Sequence, residues 1–170
     1  MNKALSFRRF DSGLMTQYSR SASRTLGKDY WIVTQSFEYH LGSKGSNVVV
    51  TVPEGYLTDG ATVPRLFWNL IPPWGIYGQA AVLHDYLCEY LKVFDTENGC
   101  ESSITRVEAD DVLLEAMKVM EVPKTQRTLI YGAVTFFRWI AGRNGPRFNP
   151  KKFAMEQQMR ERKAATGSWE

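Results

Sequence analysis

The sequence predicts an α+β fold, a small antiparallel sheet packed on about three helices, with extended polar segments at both ends. Three observations carry that expectation. Trp31, Val33, Phe37 and Tyr39 share one parity, as in a strand with one apolar face, and NVVVTVP follows as a β-branched partner. Three stretches further on carry helical periodicity or helix boundary signals. A chain of 170 residues, 44% hydrophobic and 13% aromatic, suits one domain with its own core and not a disordered polymer.

Residues 1–29 are polar and rich in Ser and Arg, with SRSASR at Ser19–Arg24, and suggest an N-terminal arm. GSKGS (Gly42–Ser46) is a turn that joins the two strands into a hairpin. His40 falls on the polar parity and is expected at the surface. Pro53–Pro73 is a long Gly- and Pro-rich connection holding Tyr56, Leu57, Phe67, Trp68 and Leu70. A connection of that length in a compact domain is usually functional. Trp68, Trp74 and Tyr77 could contact lipid, glycan or a partner, or could cap the core.

The first helix is expected from about Gly75 to Lys92. The second starts at the capping box Thr105/Glu108 and runs to about Met120. The third follows Pro123, a good first-turn residue, and stops near Gly142. Residues 143–170 form a tail of mixed charge, helical in its middle. The expected division is an arm (1–29), one α+β domain (30–142) and the tail.

The net charge of +3 comes without a dense basic face, zinc knuckle or helix-turn-helix signature, so nucleic acid is not expected as a partner. Cys88 and Cys100 make no disulfide framework and suit reduced thiols. The longest apolar helical stretch, Thr128–Gly142, is short of the roughly 20 residues of a bilayer span and contains Arg138. MNKALSFRRF lacks the apolar run of a signal peptide. A soluble protein without a transmembrane segment is expected.

One stretch carries chemistry. In AVLHDYLCEYL, His84 shares its helix face with Ala80, Ala81, Leu87 and Cys88, so an imidazole points into the core and needs partners. Asp85 lies 100° further round, at the edge of that face. On the next helix, Val112, Leu113, Ala116, Met117 and Met120 form the apolar stripe. Ala109 and Asp110 continue it, while Glu108 and Asp111 lean outward. Asp110 is thus an inward carboxylate opposite an inward histidine. Asp59-Gly60 supplies a sharp bend whose backbone carbonyls are available. These groups suit a buried network that closes the long loop onto the helix pair, or a hydrolytic site, or other metal or phosphate chemistry.

DGATVPR (59–65), AVLHDYL (81–87) and RVEADDVLLEAM (106–117) resemble, in order, the core of the family called domain of unknown function 1353. The resemblance covers about Tyr30 to Gly142. That family is found mainly in phages and prophages. It implies a phage-encoded chain made in the host cytoplasm. It also fits a virion or tail-associated component that binds neighbouring virion proteins through its arms. More distantly, the same blocks resemble the prokaryotic secreted phospholipase A2 pattern. That resemblance implies His84 as general base toward water and Asp110 as the carboxylate that orients it. Asp85 and Asp59 would hold calcium, and Gly60 would add a backbone contact. Lipid esters of the host envelope would be the substrate. The chain departs from that pattern where Cys88 replaces a tyrosine, where the stapling disulfides are missing, and where TENGC enters between the helices.

Overall fold

Apolar alternation in the first half and a later hairpin form two small antiparallel sheets, and the periodic stretches after Gly78 form most of the helices. The computed structural model describes residues 9–60, 75–142 and 144–170. In chain order come β1 (Thr16–Tyr18), α1 (Arg20–Leu26), β2 (Trp31–Val33), β3 (Phe37–His40), β4 (Val48–Val52) and β5 (Leu57–Thr58). They are followed by α2 (Gly78–Tyr90), β6 (Lys92–Asp95), β7 (Cys100–Ser103), α3 (Arg106–Val119), α4 (Lys124–Ala141) and α5 (Pro150–Thr166). The strand orders are β1-β2-β5 and β3-β4-β6-β7. The α+β class is as the sequence predicts.

The expected hairpin is β3–β4, in register Phe37↔Val52 to His40↔Val49. Phe37 and Tyr39 are fully buried, as their parity requires. His40 is half-buried, with Nδ1 2.8 Å from the Ser46 carbonyl. The single strand expected over 31–39 is in fact two. The chain leaves one sheet after Val33 and enters the other at Phe37. Ile32, on the opposite parity, is buried as fully as Val33, because β2 lies between two cores. Val33 joins the larger, with Phe37, Leu83, Leu87, Leu113 and Met117. Ile32 joins the smaller, with Ala22, Tyr30, Leu57, Met159 and Trp169.

TENGC, expected as an insertion between helices, forms the turn of a second hairpin, β6–β7, which widens the four-stranded sheet. Asp95 nucleates it. Its carboxylate accepts from the Glu97 and Asn98 backbone N–H groups at 2.9 and 3.2 Å, and Gly99 takes φ 63°.

The terminal segments expected as arms are built into the fold wherever they are described. Phe10 is buried and bridges Tyr39. Ser19 caps α1 by accepting from the Ala22 N–H, and Gly27 ends the helix in the left-handed region. Asn149 caps α5 in the same way, with Pro150 in its first turn. α1 and α5 pack together over the smaller core, and the Ser19 hydroxyl donates to Glu170 Oε1 at 2.9 Å. The two ends of the fold therefore have each other as partners. Ala22 is completely enclosed there. Ala22→Leu should overpack the contact and lower stability by about 1–3 kcal/mol in a denaturant titration. Freely solvated arms would show no change.

α3 begins with both halves of the capping box in place. The Thr105 N–H donates to Glu108 Oε2 at 2.7 Å, and the Glu108 N–H donates to Thr105 Oγ1 at 3.2 Å. α4 follows Pro123 and ends at Gly142, φ 57°. α3 packs between α2 and α4. No described helix is long and apolar enough to cross a membrane.

Candidate functional site

The apolar face that carries His84 is buried at Ala80, Ala81, Leu87 and Cys88, which drives the imidazole toward α3. Asp110, 1% exposed, meets it there. His84 Nε2 is 2.8 Å from Asp110 Oδ1. The other carboxylate oxygen accepts from Arg138 Nε on α4 at 2.7 Å. Three helices thus converge on one carboxylate. Cys88 Sγ lies 3.3 Å from the same His84 nitrogen. Among the described residues nothing hydrogen-bonds to Nδ1. With Nε2–H directed at Asp110, the neutral ring presents its lone pair at Nδ1.

Charge follows geometry. Burial opposes the imidazolium, but Cys88, the Asp110 hydrogen bond and Asp85 outweigh it and hold the His84 pKa up at about 10. Burial likewise opposes ionised Asp110, yet the hydrogen bonds from His84 and Arg138 bring its pKa below the usual carboxylate value.

Asp85 faces a different neighbourhood. Its Oδ2 accepts from the Thr58 hydroxyl at 3.3 Å, and Thr58 Oγ1 in turn accepts from the Gly60 N–H at 3.1 Å. Asp59 is ion-paired with Lys28. A hollow of about 110 Å³ gathers the carboxylates Asp59, Asp85 and Glu89 with the cations Lys28, Arg147 and Lys152. Burial and the nearby Asp59 push the Asp85 carboxyl up to about 7, against the pull of His84, Lys152 and Arg147. Buried Glu89 uses Oε2 to accept from the Tyr56 hydroxyl at 3.1 Å and to pair with Lys152, whereas its Oε1 is buried without a partner among the described residues. Lys152 also lies 3.4 Å from Glu156 Oε1, and that oxygen accepts from the Leu57 N–H at 2.8 Å.

The structure therefore brings His84 to Asp110, and Asp85 of α2 to the neighbouring loop that carries Asp59 and Gly60. The donor chemistry there fits a hard cation. Asp85 has a hydroxyl as its hydrogen-bond partner, and Glu89 Oε1 is an orphaned buried oxygen on the same hollow. Lys28 and Lys152 already neutralise Asp59 and Glu89, so an entering ion would compete with them.

Sequence reasoning missed Arg138, Glu89, Lys152, Lys28 and Arg147. Two of these had a signal: Arg138 is the single charge in the apolar stretch Thr128–Gly142, and Glu89 lies four residues after Asp85 on the same helix. Trp68 and Trp74 lie outside the described residues. Tyr77 is buried in the larger core, as a capping role requires.

His84 and Asp85 are both more easily protonated in the fold than in the open chain. The Asp85 contribution to stability is present below its ordinary 3.8 and is lost as pH rises through about 7. The His84 contribution is present below 6.5 and is lost as pH rises through about 10. Thermal melts should therefore show Tm falling from pH 6 to pH 10, less steeply in His84→Gln. A rising Tm over that range would contradict the assignment.

Fold and site together define an α+β protein whose helices α2, α3 and α4 enclose a His–Asp–Arg cluster beside a hollow lined by carboxylates and cations. The chain belongs to a protein family of unknown function, DUF1353, whose model matches residues 31–134. A stretch of 40 residues, 22% of the chain, is 50% identical to the uncharacterised protein y4jT of Sinorhizobium fredii (strain NBRC 101917 / NGR234). That stretch spans 12% of y4jT. No solved structure matches the chain.

Proposed function

We propose that the protein is an ester hydrolase of the phospholipase A2 type, with His84 as general base and Asp110 as the group that holds the ring. The 2.8 Å contact between Nε2 and Asp110 supports this reading, because it leaves Nδ1 to take a proton from water. Arg138 keeps Asp110 ionised and aimed. Calcium, held by oxygens of Asp59, Asp85 and Glu89 with the Gly60 backbone, would supply Lewis-acid polarisation of the ester carbonyl. A base held up at about 10 is protonated at neutral pH, so the rate should climb through the alkaline range as His84 loses its proton. The exposed Phe136, Trp139 and Ile140 on α4, the helix that also carries Arg138, suit a lipid surface of the host envelope.

The test is fatty-acid release from phospholipid vesicles, with calcium or with chelator. Release should require calcium and should fall about 10²–10⁴-fold in His84→Gln. No release by the intact protein would end this reading.

The same α4 face favours a second one. Trp139 is 76% and Ile140 60% exposed, which suits a phage-encoded virion or tail-associated component pressed against another virion protein. Finding the chain at fixed copy number in purified particles, without lipid hydrolysis, would select that role.

A further inference from the structure

We propose that His84, Cys88 and Asp110 form a binding site for a zinc-type transition-metal ion. The i, i+4 spacing puts His84 and Cys88 on one face of α2, and Asp110 arrives from α3. Sγ is 3.3 Å and Oδ1 2.8 Å from Nε2, and the three donor atoms all lie within 4.8 Å of one another. Zinc bonds of about 2.0–2.1 Å to nitrogen and about 2.3 Å to sulfur, at tetrahedral angles, separate such donors by roughly 3.5 Å. Small side-chain shifts are therefore enough to admit an ion.

The donor set decides which ion. Thiolate and imidazole select zinc or cobalt, whereas calcium needs oxygens alone. Arg138 holds the second oxygen of Asp110, so Oδ1 is presented by an outer partner, as ligating carboxylates usually are. Cys88 also lines the hollow beside Asp85, which gives a route inward. Loading releases the proton of the Cys88 thiol and that of His84 Nε2, and it leaves one of four coordination positions to water. The metal takes the nitrogen that Asp110 otherwise holds. The loaded protein cannot use His84 as a base, so metal binding and the hydrolase reading describe alternative states of one cluster.

Cobalt(II) titration of the purified full chain tests this without any activity assay. One equivalent should produce a thiolate-to-cobalt charge-transfer band that zinc abolishes and calcium does not. Cys88→Ser should lose the band, and Cys100→Ser, at an exposed position, should keep it. Asp110→Asn should weaken cobalt binding at least tenfold. Because Cys88→Ser could lose its fold, alkylation of the unaltered protein, at a denaturant concentration where buried Cys88 reacts in the absence of metal, provides a second measurement. Zinc should protect Cys88 and leave Cys100 reactive. Absence of the band, retention of it in Cys88→Ser, or equal alkylation of Cys88 with and without zinc would each overturn the site. Failure of lipid hydrolysis leaves these readouts unchanged, so the two proposals fail separately.

Discussion

Asp110→Ala should be among the most destabilising single substitutions in this protein, at about 3–5 kcal/mol by chemical denaturation. Asp110 is the shared acceptor of a buried imidazole and a guanidinium. Alanine takes from the enclosed His84 ring its hydrogen-bonded carboxylate, one of the influences that hold the imidazolium against burial. It leaves Arg138 to turn toward water, which its half-buried position allows and which places the loss at the lower end of the range. Against a total stability of about 5–15 kcal/mol, that loss threatens folding itself. Asp110→Asn retains one acceptor oxygen and should cost less. A loss under about 1 kcal/mol for the alanine variant would show that α2, α3 and α4 are not tied through this carboxylate.

Lys152→Ala should have an effect of similar size, about 3–5 kcal/mol, with a distinct pH signature. Lys152 is 6% exposed and serves two buried carboxylates, Glu89 on α2 and Glu156 on its own helix, with its ammonium 3.8 Å from the centre of the Tyr56 ring. Burial already raises the Glu156 pKa, and Lys152 is the chief opposing influence. Without the cation Glu156 becomes harder to ionise. The penalty should be large at pH 8 and should shrink at pH 5, where protonation relieves it. Melts of the variant at those two values measure this directly. Combining Lys152→Met with Glu89→Gln should recover part of the loss, since removing both charges of a buried pair is far milder than orphaning one. A penalty independent of pH would mean that packing alone is at stake.

The parts of this fold legible in the sequence are those where one face is apolar and the other is not. α3 shows its stripe and its capping box. α4 shows Pro123 and Gly142 at its ends. β3 and β4 alternate around a glycine turn. The pairing of His84 with Asp110 was legible for the same reason, since each is the polar residue on an apolar face. The illegible parts break that rule in identifiable ways. β2 is buried on both sides, so its parity ran on into β3. All four residues of β7 are exposed, and the strand has no alternation to detect. α5 buries Lys152, Glu156 and Met159, and two of those three are charged. A helix anchored by ion pairs carries no hydrophobic periodicity and looks like a solvated tail. Lys28 and Arg147 belong to segments that polar composition marks as loose, and their place at the hollow depends on contacts across the fold.

The smaller core joins residues far apart in the chain: Leu57 to Glu156 across 99 positions, Ser19 to Glu170 across 151. Closing loops of that length costs entropy before any contact repays it. Synthesis at about 5–20 residues per second can let the β3–β4 hairpin and the α2–α3 pair form early, because their partners are near in sequence. Ile32 and Leu57 pair across β2 and β5, but the outer cover of that core, Met159 and Trp169, comes from α5 and the residues after it. Until residues 150–169 have been made, Ala22, Ile32 and Leu57 lack it. The second core then closes after the first, and the interval before it does leaves the chain open to association with other unfinished copies.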